Sequence, residues 1–303
     1  VARVSESLSV TRLSGALGAE IRGIELRDLD GAQVDTIRDL LHKHLVLFFP
    51  GQFLDIDAHV ALGEHFGLLD SHPNLENPFT RHPQVFELAA SHGGVADEWH
   101  SDISFSAHPS MMSILNMIEC PEVGGDTLWA STYAAYEALS EPLQAFCAGL
   151  SALHDAAPHG KPEMNAIHPV VRVHPVTGRR ALFVNQHFTR RLVELSHEES
   201  QLLLDYLVRW IASPRFTVRY RWHKGTIAIW DNRCTQHFVV SDFSQQRVIQ
   251  RVTVMGDTPE AAQATQWEPY VRRQNVSATS RYDKQLNDAL GRHIETLESN
   301  RKK

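Results

Sequence analysis

The chain has 303 residues, 43% of them hydrophobic and 21% charged, with a formal net charge of −7. That length suits one large domain or two modest ones, and the acidic balance, with no basic stripe, excludes a nucleic-acid footprint. No apolar run approaches the ~18 residues of a membrane span, and three scattered cysteines without a CxxC (Cys120, Cys147 and Cys234) exclude a disulfide framework.

Leu8–Leu13 and Gly18–Ile24 read as opening strands. An amphipathic helix over Asp30–Leu41 follows, then a buried strand over His44–Phe49 stopped by Pro50-Gly51, and a second helix over Asp55–Phe66. From Gln84 strands dominate: Val85–Leu88, Ser101–Phe105, Met111–Ile118 and Asp126–Ala130. Helices are predicted from Thr132 and over Glu141–Ala148, and strands over Val170–His174 and Ala181–Val184. Ser196 with Glu199 three residues on is a capping-box start for a long helix to Ile211. The late strands are Phe216–Trp222, Thr226–Trp230 and Arg247–Val254. This pattern predicts a mainly β protein with helical insertions, a sandwich or jelly roll. We expect one domain over residues 1–257. A polar extension over 258–303 follows, partly helical from about Ser280 to Ser299.

The sequence Glu98-Trp99-His100-Ser101-Asp102-Ile103-Ser104-Phe105 carries an imidazole and a carboxylate two residues apart. On a strand such residues share a face and can grip one ion from one side. His237, in a loop after Trp230-Asp231-Asn232-Arg233, would complete a set of two His and one carboxylate, which leaves coordination positions open and suits non-haem Fe(II) oxygen chemistry. The chain holds 18 histidines, so each needs local support before it counts as a ligand. Taken alone, an HxD is more often a pair of hydrogen-bonded neighbours.

Further motifs follow in order: Gly124-Gly125-Asp126-Thr127-Leu128-Trp129, His168-Pro169-Val170-Val171-Arg172, Phe183-Val184-Asn185, Ile229-Trp230-Asp231-Asn232-Arg233 through His237, then Arg247 and Arg251-Val252-Thr253. With the WHSD segment, these resemble the taurine dioxygenase-like (TauD/TfdA) group of Fe(II)- and 2-oxoglutarate-dependent dioxygenases over roughly residues 8 to 257. The resemblance implies a double-stranded β-helix (jelly-roll) core. It implies His100, Asp102 and His237 as iron ligands, with O2 and 2-oxoglutarate as co-substrates. Arg247 and Thr127 would hold the far carboxylate of 2-oxoglutarate, a role that suits the planar fork of arginine. Retention of Asp102, which related halogenases replace by a small residue, argues for hydroxylation. A cytoplasmic enzyme acting on a small molecule, with no membrane partner, is expected. The family implies a dimer or tetramer.

The same resemblance implies His72, Arg251 and Phe188 as substrate contacts, and Arg251 with His72 favours an anion: a sulfonate, sulfate ester or carboxylate. Leu75 and Ala96 depart from polar positions of the taurine enzymes, so a longer or more apolar anion than taurine is expected. Two other readings stand beside this one: a biosynthetic desaturation or cyclisation with the same cofactors, and a zinc hydrolase on a cupin-like barrel. A non-catalytic binding protein is disfavoured by the complete ligand set.

Overall fold

A computed structural model describes residues 7–71, 81–89, 96–270 and 288–292. The chain divides into two compact units that alternate along the sequence. The first comprises residues 1–102, 110–132 and 212–257; the second comprises 103–109, 133–211 and 258–303.

In the first unit, β1 (Ser9–Arg12), β2 (Ala19–Arg22) and β3 (Val46–Phe49) precede β4 (Leu69–Asp70), β5 (Phe86–Ala89), β6 (Met112–Glu119) and β7 (Thr127–Ser131). Two helices interrupt them, α1 (Gly31–His44) and α2 (Ile56–Glu64). Asp30 caps α1 in a full capping box with Gln33, and Asp55 caps α2 by accepting from the Ala58 amide; each cap is worth about 1 kcal/mol. Leu45 closes α1 in the left-handed region at φ 66°, and the chain then runs directly into β3.

The second unit carries α4 (Glu141–Ala148), β8 (Ser151–Ala156), β9 (Lys161–Pro169), β10 (Val171–Val173), β11 (Arg180–Leu182), β12 (Thr189–Leu192) and α5 (His197–Ile211), with α3 (Thr132–Glu137) leading into it. Its strands form two three-stranded sheets, β12-β8-β9 and β11-β10-β17, where β17 is Glu260–Ala261. Ser196 and Glu199 form the capping box read from the sequence: the Glu199 amide donates to Ser196 Oγ at 3.3 Å, and the Ser196 amide to Glu199 Oε2 at 2.9 Å. Of the helix predicted over 280–299, residues 288–292 are described, and they are helical.

The first unit resumes with β13 (Thr217–Tyr220), β14 (Ile227–Asp231), β15 (Thr235–Val239) and β16 (Val248–Val254). Its larger sheet runs β1-β2-β3-β14-β6-β16-β4, with β5 also on β16; its smaller sheet runs β13-β7-β15. The central strands β3, β14 and β16 are buried along their whole length. Alternation is therefore absent there, as expected of strands covered on both faces. Between the two sheets of this unit Phe48 stacks on Tyr220 at 3.8 Å and meets Trp129 edge-on at 5.2 Å. This two-sheet arrangement is the jelly-roll core that the strand pattern predicted, and it carries the candidate site.

Two sequence expectations are corrected here. Ser101–Phe105 is not a strand. His100 forms an isolated antiparallel bridge to His237, and the chain then turns, with Ile103 in the left-handed region at φ 54°. His237 is not in a loop but at the centre of β15. The candidate ligands are thus set by one bridge and a turn, rather than by a strand face and a loop.

Candidate metal centre and co-substrate site

His100 and His237 exchange both backbone hydrogen bonds, His100 N–H to His237 O at 3.1 Å and His237 N–H to His100 O at 2.8 Å. Their rings lie side by side, with centroids 4.1 Å apart. Ser101 Oγ adds a bond to Thr235 O at 2.8 Å, fastening the turn to β15. Asp102 then falls opposite the two rings: its Oδ1 is 3.9 Å from His100 Nε2 and 3.9 Å from His237 Nε2. All three side chains are buried, and one donor atom from each lies within 4.8 Å of the other two. The turn at Asp102 achieves what the strand spacing was expected to achieve.

The donors suit a divalent metal. His100 Nδ1 lies 2.7 Å from Glu98 O, which fixes Nδ1 as the protonated nitrogen and turns Nε2 toward Asp102. Burial, reinforced by the neighbouring His100, pushes the His237 pKa well below the ordinary imidazole value. The neutral ring, the form that binds metal, therefore prevails. Burial opposes ionisation of Asp102, but Arg251, then His237 and His100, outweigh it and hold the carboxyl below the usual carboxylate range.

The turn between β14 and β15 sets the ligands from behind. Asp231 takes a two-pronged bond from Arg233, with Nε to Oδ1 at 2.9 Å and Nη2 to Oδ2 at 2.6 Å, and its carbonyl accepts from Thr235 Oγ1 at 2.7 Å. Trp230 lies beneath, its ring 4.9 Å from His237, with Trp129 stacked at 6.4 Å. Trp230 Nε1 donates to Asn232 Oδ1 at 2.9 Å, Asn232 Nδ2 to Ser113 Oγ at 2.8 Å, and Ser113 Oγ to Asp102 Oδ2 at 2.7 Å. Sequence reasoning had Asn232 only as a turn residue and missed Ser113. The available signal was slight, a serine in a strand that also carries Asn116 and Glu119.

Arg247, one residue before β16, is 5% exposed. Its Nε donates to Gly125 O at 3.2 Å and its Nη2 to Thr127 Oγ1 at 3.3 Å, while Trp222 Nε1 donates to the same hydroxyl at 2.9 Å. The Gly-Gly turn makes this approach possible. Gly124 and Gly125 both have positive φ, and a Cβ at Gly124 would sit 2.6 Å from Asp242 O. Among the described residues no carboxylate pairs with Arg247, and burial pushes its pKa down to about 10. A buried guanidinium without a counter-charge is suited to bind an anion.

Arg251, four residues on, is placed differently. Its Nη1 donates to Asp102 Oδ1 at 2.6 Å, its guanidinium lies 5.3 Å over the Phe86 ring, and its Nε is buried with no partner among the described residues. Phe188 belongs to the second unit, where it packs edge-on against Phe105 at 5.0 Å and beside Ile103 and Ala156. In the same unit Asn185 Nδ2 donates to Ser104 Oγ at 3.0 Å and His168 Nε2 meets Ser106 O at 2.9 Å. His72 and Leu75 lie outside the described residues; Ala96 is described, and its carbonyl accepts from the Val239 amide at 2.9 Å.

A jelly-roll unit that gathers two histidines and one aspartate around a common point, with a buried arginine that has no acidic partner among the described residues, fits the class of 2-oxoglutarate-dependent dioxygenases. The taurine catabolism dioxygenase TauD, TfdA family model matches residues 9–253, and the chain belongs to that family. Among its relatives, an alkylsulfatase of Acinetobacter baylyi is 39% identical over 283 residues, covering 85% of this chain and 88% of the relative. An alpha-ketoglutarate-dependent sulfate ester dioxygenase of Pseudomonas putida is 38% identical over 276 residues, covering 83% and 91%. The crystal structure of a taurine dioxygenase from Burkholderia xenovorans superposes with a TM-score of 0.78 at 36% identity, covering 84% of this chain and 93% of that one. The protein is therefore an oxidoreductase that depends on 2-oxoglutarate, and the hydrolase and binding-protein readings give way. Among the described residues no helix is long and apolar enough to cross a membrane.

Proposed function

We propose that the chain oxidises the carbon bearing the anionic group of an alkyl sulfate or related organic anion, with His100, Asp102 and His237 holding Fe(II). When bound, the iron supplies the activation of O2. One oxygen atom of O2 enters succinate as 2-oxoglutarate loses CO2, and the other enters a C–H bond of the substrate. Arg247 and Thr127 hold the distal carboxylate of 2-oxoglutarate: the guanidinium gives charge and the hydroxyl, itself fixed by Trp222 Nε1, a second donor. The buried Nε of Arg251 offers the substrate anion a donor. A carbon that carries both the new hydroxyl and a sulfate ester oxygen collapses to an aldehyde and inorganic sulfate, with no further oxidant required.

The observation that carries this reading is the buried Arg247, which lacks an acidic partner among the described residues. The sulfate ester preference is supported by the alkylsulfatase and the sulfate ester dioxygenase among the relatives. The departures at Leu75 and Ala96 support an apolar chain over a small amine. A reducing compartment such as the cytoplasm fits the three free thiols.

The test is succinate release under air with Fe(II) and 2-oxoglutarate across alkyl sulfates, sulfonates, aryloxy acids and amino acids. A linear alkyl sulfate is expected to give succinate, aldehyde and inorganic sulfate in equal amounts. Succinate released with aryloxy or amino acids, and none with any sulfate or sulfonate, would overturn the substrate class.

A further inference from the structure

The chain of bonds from Trp230 to Asp102 has only one possible direction. An indole N–H donates and never accepts. The Asn232 atom 2.9 Å from Trp230 Nε1 is therefore the amide oxygen, and the Asp102 amide, 3.4 Å from the same atom, requires the same assignment. The Asn232 amide nitrogen then faces Ser113 Oγ, to which it can only donate. Ser113 has accepted that bond, so its single proton points to Asp102 Oδ2, at 2.7 Å. Four buried groups, each below 5% exposed, thus align from the indole to the carboxylate. Strand register enforces the alignment, since Ser113 of β6 is the direct partner of Trp230 of β14.

The consequence falls on the carboxylate. Both oxygens carry a donor: Oδ2 takes the Ser113 hydroxyl at 2.7 Å, while Oδ1, which takes Arg251 Nη1 at 2.6 Å, is also the oxygen 3.9 Å from both His Nε2 atoms. We infer that Trp230, Asn232 and Ser113 are positioning residues that make Asp102 a one-oxygen ligand, presenting Oδ1 to the metal and keeping Oδ2 from it. This rests on the metal-centre reading above and extends it. A six-coordinate metal held by two imidazoles and one carboxylate oxygen would keep three positions, enough for a two-point co-substrate and O2. A carboxylate freed from Ser113 can chelate through both oxygens and take one of those positions. The single turn that carries Asn232 therefore serves two ligands: its backbone leads into the strand of His237, and its side chain orients Asp102.

The experiment is Mn(II) binding to the full chain without O2, read from the free-ion spin-resonance signal, followed by 2-oxoglutarate titration of the Mn(II)-loaded protein. Ser113→Ala and Asn232→Leu are each expected to weaken Mn(II) binding about 10- to 100-fold, the usual effect of losing a group that orients a ligand. Both are also expected to weaken 2-oxoglutarate binding although Arg247 is untouched. Ser113→Thr keeps the hydroxyl and is expected to stay near wild type. The double variant is expected to be no weaker than the weaker single one, because each breaks the same chain of bonds. Thermal unfolding without metal checks that the variants fold; if either does not, Trp230→Phe, which removes the first donor but keeps a ring, carries the test in the same direction. Wild-type affinity for both ligands in folded Ser113→Ala and Asn232→Leu, or multiplying effects in the double variant, would overturn the relay. Absence of Mn(II) binding by the wild type would instead overturn the metal-centre reading beneath it.

Discussion

Arg247 and Arg251 stand four residues apart on one buried strand system, yet their electrostatic situations are opposite. Arg251 is compensated inside the protein by Asp102. Among the described residues Arg247 meets a carbonyl and a hydroxyl and no carboxylate, and burial depresses its pKa to about 10. The first charge is part of the folded structure; the second, in the function proposed, is held for a ligand. Neighbouring positions can thus serve two purposes: a paired arginine stabilises the fold, while one without an acidic partner among the described residues stores a desolvation cost that a bound dianion would offset. Substitutions at the two positions should therefore part company in stability and in co-substrate affinity.

The largest effect is expected for Asp102→Ala, which removes a ligand and also leaves Arg251 without its carboxylate. Substrate-coupled succinate formation should fall below detection, and its retention would contradict the ligand assignment. Arg251→Gln strands Asp102 as an uncompensated buried charge and should cost about 3–5 kcal/mol in urea unfolding of the metal-free protein. Arg247→Gln should behave in the reverse sense. Unfolding stability stays level or rises, because an uncompensated buried charge has gone, while 2-oxoglutarate binding weakens by about 2–5 kcal/mol.

Thr127→Val is a smaller change, about 1 kcal/mol or roughly fivefold in 2-oxoglutarate affinity, with Trp222 Nε1 losing its acceptor. The smallest effect is in pH dependence. Arg251, against the opposing effect of burial, holds the folded-state pKa of Asp102 below its unfolded value. The stability contributed by this carboxylate is then present above the unfolded pKa of about 4 and is lost as pH falls below it. Metal-free wild type should lose stability on acidification through that range more steeply than Arg251→Gln, and parallel curves would argue against the pair.

Much of this was legible in the sequence, for physical reasons that differ by residue. His100, Asp102, His237, Thr127 and Arg247 are chemically distinctive side chains beside turn signals, and the structure brings all five into one unit. The geometry uniting the first three was not legible. The HxD spacing suggested a strand face, but Ile103 takes a left-handed backbone that no local preference of a β-branched residue would suggest. The bridge between His100 and His237 depends on chain segments more than a hundred residues apart. Thr235–Val239 went unread as a strand because its buried Gln236 and His237 look like loop residues. The β8–β9 hairpin was missed for a similar reason, since Lys161–Pro169 is half-buried and polar. Ser113 could not be singled out without the β6–β14 register that sets it against Trp230.

The contrast between the two arginines is tested most directly by anaerobic titration of 2-oxoglutarate into the Fe(II)-loaded wild type, Arg247→Gln and Arg251→Gln, following the weak visible charge-transfer band. The wild type and folded Arg251→Gln are expected to develop the band at similar co-substrate concentrations. Arg247→Gln should require at least about 30-fold more, the equivalent of 2 kcal/mol. No band in the saturated wild type, or an Arg247→Gln titration that overlays it, would contradict the account.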